Sequence, residues 1–267
     1  MNDERVVEEI VTKFFLNSCR LRPRFSESAA QAAKCRAWLA AEHPDDDDEA
    51  HAIALTTGSV AEFYIEPMLP HIGDIDAMFH FSTALAIPRG HPPPTQLPAE
   101  FYNYVKVSEI IDTHFPGYVY LEPRYLLTEC VDDGKYNAVE YDRRMRCCLS
   151  TAIGLPVGDG RDIHGPAVVL THGSLLLPFD SVLCIRCLVW PSQAAHWPMR
   201  HRNYGWPDSA TVDRVVNNVC DVVRVPHRQC RHDEWMNRYQ WRLSFSRAEI
   251  VLINSWTPVQ QIVYHKL

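Results

Sequence analysis

The chain has 267 residues, 46% hydrophobic and 22% charged, enough for one large domain or two small ones with an ample core. No apolar run approaches a membrane span, and Met1-Asn2-Asp3-Glu4-Arg5 does not lead into a signal-peptide core, so neither a membrane protein nor an exported one is expected. The net charge is −7, and the nine cysteines, read without an export signal, are expected to be reduced cytosolic thiols rather than a disulfide frame.

Val6, Val7, Ile10, Val11, Phe14 and Phe15 recur at helical spacing around Glu8, Glu9 and Lys13, which predicts a long amphipathic helix. Pro23 interrupts it, and an Ala-rich second helix is predicted from about Glu27 to Glu42, giving an N-terminal unit over residues 1–50. Residues 13 to 36 carry Lys13, Arg20, Arg22, Arg24, Lys34 and Arg36 against only Glu27. That stretch reads as a phosphate-binding surface or, more blandly, as one solvated face. Asp45 to Asp48 with Glu49 read as a solvated loop.

The second unit, residues 51–267, opens on the short apolar strand Ile53-Ala54-Leu55. Strands dominate from there to about Trp190, in segments such as Ala77-Met78-Phe79-His80-Phe81, Tyr118-Val119-Tyr120-Leu121 and Ala167-Val168-Val169-Leu170. Pro92-Pro93-Pro94 and Gly158-Asp159-Gly160 mark loops, and an Arg-rich helix is predicted from about Glu140 to Ser150. Cys184 and Cys187 form a C-x-x-C with no second pair at zinc spacing, and Cys230 and His232 also lack partners. Within Val182-Leu183-Cys184-Ile185 a thiol is expected to act as a small hydrophobe. Further helices are predicted over Ser209 to Val223 and from Ser246 to Ile253. The fold class is α+β, a mixed or antiparallel sheet flanked by helices. Thr257 to Leu267 reads as the first turns of another amphipathic helix, so the expectation is that the chain stops ahead of a further domain.

The chemistry concentrates in Thr57-Gly58-Ser59-Val60-Ala61-Glu62 and Gly73-Asp74-Ile75-Asp76-Ala77-Met78-Phe79. Gly58-Ser59 after an apolar strand offers a tight turn with exposed N–H groups and a hydroxyl, a natural seat for a triphosphate. In a strand, Asp74 and Asp76 point to one face, about 7 Å apart. Two like charges so placed are costly unless cations neutralise them, and Mg²⁺ or Mn²⁺ in a two-ion site is the cation that such a pair suits. A third carboxylate on a neighbouring strand would complete the set, and Asp180 at the start of Phe179-Asp180-Ser181-Val182 is the candidate. The bland alternative for Asp180 is a turn cap.

Gly58-Ser59 followed by Asp74-Ile75-Asp76 is similar to the signature of the nucleotidyltransferase superfamily that includes DNA polymerase β. The strings Trp190-Pro191-Ser192-Gln193-Ala194-Ala195-His196-Trp197, Arg202-Asn203-Tyr204-Gly205-Trp206-Pro207 and Trp241-Arg242-Leu243-Ser244-Phe245-Ser246-Arg247-Ala248-Glu249 resemble the male-abnormal-21-like family. The last string also resembles cyclic GMP-AMP synthase and its invertebrate cGAS-like receptors. The likeness runs from about Ala54 to the end and is loose from Pro92 to Ser150.

The resemblance implies a DNA polymerase β-like nucleotidyltransferase fold and a long N-terminal helix. It implies that Gly58 and Ser59 meet a triphosphate, that Asp74, Asp76 and Asp180 hold two metal ions, and that Arg242 and Ser244, with Ser246 nearby, contact the bases. The expected substrates are ATP and GTP or other nucleoside triphosphates, the product is a cyclic dinucleotide, and the activator is double-stranded RNA or DNA on the basic N-terminal stretch. The family also implies a helical lobe beyond Leu267. A different class of reading is a scaffold that keeps the fold without the reaction, since fold does not dictate function. The residues allow two further readings: Arg242 and Ser244 cap the helix starting near Ser246, whose hydroxyl forms an S-x-x-E capping box with Glu249, and Trp190, Trp197, Trp206 and Trp241 serve as core anchors rather than base-stacking platforms.

Overall fold

The computed structural model describes residues 6, 9, 10, 13, 19–20, 52–58, 64–65, 75–141, 162–164, 167–170, 179–202, 205–225, 240–257 and 260. The strands are β1 (Cys19–Arg20), β2 (Ala52–Thr57), β3 (Tyr64–Ile65), β4 (Ile75–Pro88), β5 (Tyr104–Asp112), β6 (Tyr118–Glu129), β7 (Tyr136–Glu140), β8 (Asp162–His164), β9 (Ala167–Leu170), β10 (Phe179–Cys187), β11 (Asp221–Val223) and β12 (Gln240–Ser244). Among the described residues, the helices that can be given bounds are α1 (Ser209–Asn218) and α2 (Ser246–Asn254), with a short 3₁₀ turn at Ser192–Ala194.

β1 and β3 pair by themselves, and the other ten strands form one mixed sheet in the order β2-β4-β5-β6-β12-β11-β10-β9-β8, with β7 beside β6. An additional pairing of β4 with β10 closes the path β4-β5-β6-β12-β11-β10 on itself. The long β4 makes this possible. Its first half is paired by β2 and β10, and its second half by β5 and β10. Both edges of β4 are therefore paired, and its residues 77–88 are all buried. Every strand of the closed path feeds one apolar cluster, including Phe81, Ile110, Val119, Ile185, Val222 and Trp241. Two smaller clusters lie around Leu85 and Leu127 and around Met78 and Cys184.

The sequence places α1 correctly at its start and wrongly at its end. Asp208 caps it, its Oδ1 accepting from the Thr211 N–H at 2.7 Å. The helix stops at Asn218, where Val219 turns to φ 59°, and the predicted continuation to Val223 is instead β11. Asp221, Val222 and Val223 are all buried, and β10 and β12 pair with β11 from both sides. That tertiary pairing, invisible in the local pattern, overrides the helical reading.

The Ser246 helix lies where it is expected, but its capping box is not formed. Phe245 is the N-cap and no side chain caps it. Ser246 is already the first helical residue, so its hydroxyl is turned elsewhere, 3.2 Å from Ser244 Oγ. Of the N-terminal helix, Val6, Glu9, Ile10 and Lys13 are described and helical, with Lys13 Nζ 3.0 Å from Glu9 Oε1. Val6 and Ile10, expected on the buried face, are exposed. The second N-terminal helix, the acidic run, the predicted 140–150 helix beyond Tyr141, the Gly158 loop and the segment 261–267 lie outside the described residues. Among the described residues, no helix is long and apolar enough to cross a membrane.

Candidate functional site

β4 and β10 run parallel with Asp180 in register with Asp76, Val182 with Met78 and Cys184 with His80. Partners in register point to the same face of a sheet, about 4.8 Å apart. Asp76 and Asp180 are therefore neighbours on one face, both half-buried. Side by side, two ionised carboxylates repel by roughly 3 kcal/mol at an effective dielectric constant near 20. The register thus builds an oxygen-rich, electronegative pair suited to a hard divalent cation.

Gly58 follows β2 directly, and Thr57 is in register with Asp76 on the other side of β4. It has φ +66°, and a Cβ at this position would run into Asp76 Oδ2. Glycine is needed here twice, for the left-handed turn and for room beside the carboxylate. Ser59 and Asp74 lie outside the described residues. Among the described residues, no three His, Cys, Asp or Glu side chains form a metal-holding group, and only two of the expected three carboxylates are among them.

Arg242 and Ser244 alternate on β12, with Arg242 in register with Val223 and Ser244 with Asp221 on β11. Val223 in turn is in register with Cys184 of β10, so both side chains project from the face that carries Asp76 and Asp180. Arg242 is exposed, while Ser244 and Ser246 are half-buried. Ser244 Oγ lies 3.7 Å from Sδ of Met78, two residues along β4 from Asp76. The hydroxyls and the carboxylates are thereby joined across one surface.

Four residues that the sequence reading did not single out sit on the same face. Asp221, 0% exposed, accepts from Arg247 Nε at 2.8 Å. Burial pushes its carboxyl up, against the pull of Arg247 and Arg186. Burial, and then Arg247, pulls the Arg186 guanidinium down. His80 is held at about 4 by burial first, then by Arg247 and Arg186, so it is neutral near pH 7. A charge inside an apolar strand was the signal available, in Cys184-Ile185-Arg186-Cys187 and Cys220-Asp221-Val222-Val223. Cys184 and Cys187 belong to different apolar clusters, three residues apart on a strand and so on opposite faces, and cannot share an ion.

The tryptophans divide. Trp241 is a core residue at 7% exposure. Trp206 is half-buried and donates to Ser255 Oγ at 3.0 Å. Trp190 and Trp197, centroids 5.8 Å apart, are half-buried and line a cavity of about 430 Å³ with Phe245, Arg200 and Glu249. Arg202 holds this loop from behind, 5.0 Å from the Trp197 ring and donating to the carbonyls of Trp197, Pro198 and Arg200. The anchor reading fits Trp241, while Trp190 and Trp197 are half-buried, with Trp190 5.5 Å from the Phe245 ring, which packs on the core.

A mixed sheet with paired carboxylates on adjacent strands, flanked among the described residues by α1 and α2, is consistent with the nucleotidyltransferase superfamily. The Mab-21 protein nucleotidyltransferase domain matches residues 98–255, more than half of the chain, and the chain belongs to that family. The matched region holds Asp180, Arg242, Ser244 and Ser246, and it includes the stretch from Pro98 to Ser150, whose motifs resemble the family only loosely. Gly58 and Asp76 precede it. No curated protein matches the chain.

Proposed function

We propose that this domain is a metal-dependent nucleotidyltransferase that joins nucleoside triphosphates, ATP and GTP among them, into a cyclic dinucleotide in the manner of cGAS-like receptors. The observation that carries the reading is the register of Asp76 with Asp180 on parallel strands, with Gly58 cleared beside them. Asp76 and Asp180, with Asp74, would supply the oxygen donors for two Mg²⁺ or Mn²⁺ ions. Such ions, when bound, lower the pKa of an attacking hydroxyl and offset charge on the leaving group. Gly58 and Ser59 receive the triphosphate, and Arg242, Ser244 and Ser246 meet the bases. A ribose hydroxyl attacks the α-phosphorus, the bond to the β-phosphate oxygen breaks, and pyrophosphate leaves. The chain's own contribution is positioning, since phosphoryl transfer asks for little covalent chemistry from protein groups. Double-stranded RNA or DNA is the proposed activator, acting from the basic stretch between Lys13 and Arg36, in a cytoplasmic setting.

The test is mass-spectrometric detection of pyrophosphate and nucleotide product from ATP and GTP with Mg²⁺ or Mn²⁺, with and without double-stranded RNA or DNA. Asp180→Asn is expected to lower turnover at least ~100-fold, the scale of several kcal/mol of lost transition-state stabilisation, with little change in melting temperature. Full activity in Asp180→Asn would end the assignment. A folded wild-type protein that makes no product under any of these conditions is the scaffold.

A further inference from the structure

We infer that Asp221 and Arg247 are a positioning pair, which fixes the segment Arg242–Ser246 so that its side chains address the bases of bound nucleotides. The inference rests on the proposed nucleotidyltransferase reading and adds residues that reading does not use. Asp221 is fully buried on β11 and is in register with Ser244. Arg247, 14% exposed, lies in the first turn of α2 and donates from Nε to Asp221 Oδ2 at 2.8 Å. The ion pair therefore ties the strand neighbour of Ser244 to the residue after Ser246.

Three features argue that the pair sets geometry rather than adding stability. A cation in the first turn of a helix opposes the helix dipole, so Arg247 is poorly placed for helix stability unless Asp221 answers it. No side chain caps α2, and its start is held by side chains through this ion pair together with the Ser244–Ser246 hydroxyl contact. Buried ion pairs also stabilise little compared with apolar packing of the same volume, and their best-attested use is fixing one arrangement among several. The arrangement fixed here is specific. Ser244 Oγ sits 3.2 Å from Ser246 Oγ and 3.7 Å from Met78 Sδ, and Met78 shares a face with Asp76. A shift of the α2 start moves both hydroxyls relative to the carboxylates.

The test uses the full chain, Arg247→Met, Arg247→Lys and the double variant Asp221→Leu/Arg247→Met, which removes both charges. Binding of ATP, GTP and inorganic tripolyphosphate is measured with Mg²⁺, alongside hydrogen exchange. The expected result for Arg247→Met is at least ~10-fold weaker ATP and GTP binding with tripolyphosphate binding unchanged, because only the base end has moved. Exchange over residues 244–249 rises at least ~10-fold while β4 and β5 stay protected, and Arg247→Lys recovers part of both effects. The double variant is expected to melt near the wild type yet to bind ATP and GTP as weakly as Arg247→Met. Wild-type affinity in the double variant, or unchanged exchange over 244–249 in Arg247→Met, overturns the inference. If the wild type binds none of the three ligands, the proposed function fails instead, and the exchange result alone decides whether the pair holds the segment.

Discussion

Gly58 and His80 show how single residues constrain this face of the sheet. Replacing Gly58 by Ala puts a Cβ at positive φ and into Asp76 Oδ2. The backbone cost is about 1–2 kcal/mol, and the carboxylate must swing aside. Gly58→Ala is therefore expected to lower the urea midpoint modestly and turnover by tenfold or more, and a variant with wild-type turnover would show that Asp76 need not lie where it does. His80 gives a pH signature. Its folded value near 4 lies below the ordinary 6.5, so between those values the unfolded chain binds the extra proton and stability rises with pH. The contribution is complete above about 6.5 and is lost as pH falls towards 4, a change on the order of 3 kcal/mol. The raised carboxyl of Asp221 acts with the opposite sign at the acid end, so the informative quantity is the difference between proteins. His80→Gln should lose less stability than the wild type between pH 7 and pH 5 in urea titrations, and parallel pH slopes would refute the assignment.

At the scale of elements, what could be read from the chain followed from locality. The helix start at Ser209 and the Ser246 helix are local signals and stand in the structure, as do the strands around Ile53, Phe79, Tyr118 and Val168. β11 was not legible, because three residues that look like the end of a helix become a strand only when β10 and β12 enclose them. The capping box failed for a related reason: the S-x-x-E spacing is correct, but the chain leaves β12 at Ser244 and enters the helix one residue before the box can form. Arg242 and Ser244 came from the family resemblance, and β12, the strand that puts them on one face, was not among the predicted elements. Nothing local could have given Arg247 its partner, 26 residues away on β11. The Asp208 cap offers a direct check on the local part. Asp208→Ala removes the 2.7 Å bond to the Thr211 N–H and should cost about 1 kcal/mol in thermal unfolding. A loss within error would mean that packing against α2 alone sets the start of α1.

For the whole molecule, the consequential feature is that the parallel seam between β4 and β10 both closes the strand path and carries Asp76 and Asp180. Closure makes the carboxylate pair depend on the entire sheet, since either strand can shift only if the path opens. It also couples ligand binding to global stability. A metal–nucleotide complex that binds only the folded sheet stabilises it by about 2.7 kcal/mol at a hundredfold excess over Kd, and a protein of this size gains roughly 2–4 °C for each kcal/mol. The wild type is thus expected to melt about 5–10 °C higher with Mg²⁺ and ATP at that excess than without them. In Asp180→Asn the fold is kept by the same strand pairing, but one charged oxygen donor is gone, so most of that rise should vanish while the melting temperature without ligand stays close to wild type. The comparison separates site from scaffold with no need for turnover. An equal rise in both proteins would place the metal–nucleotide complex away from the seam, and a wild type that gains nothing from any nucleotide or metal would leave the closed sheet as architecture alone.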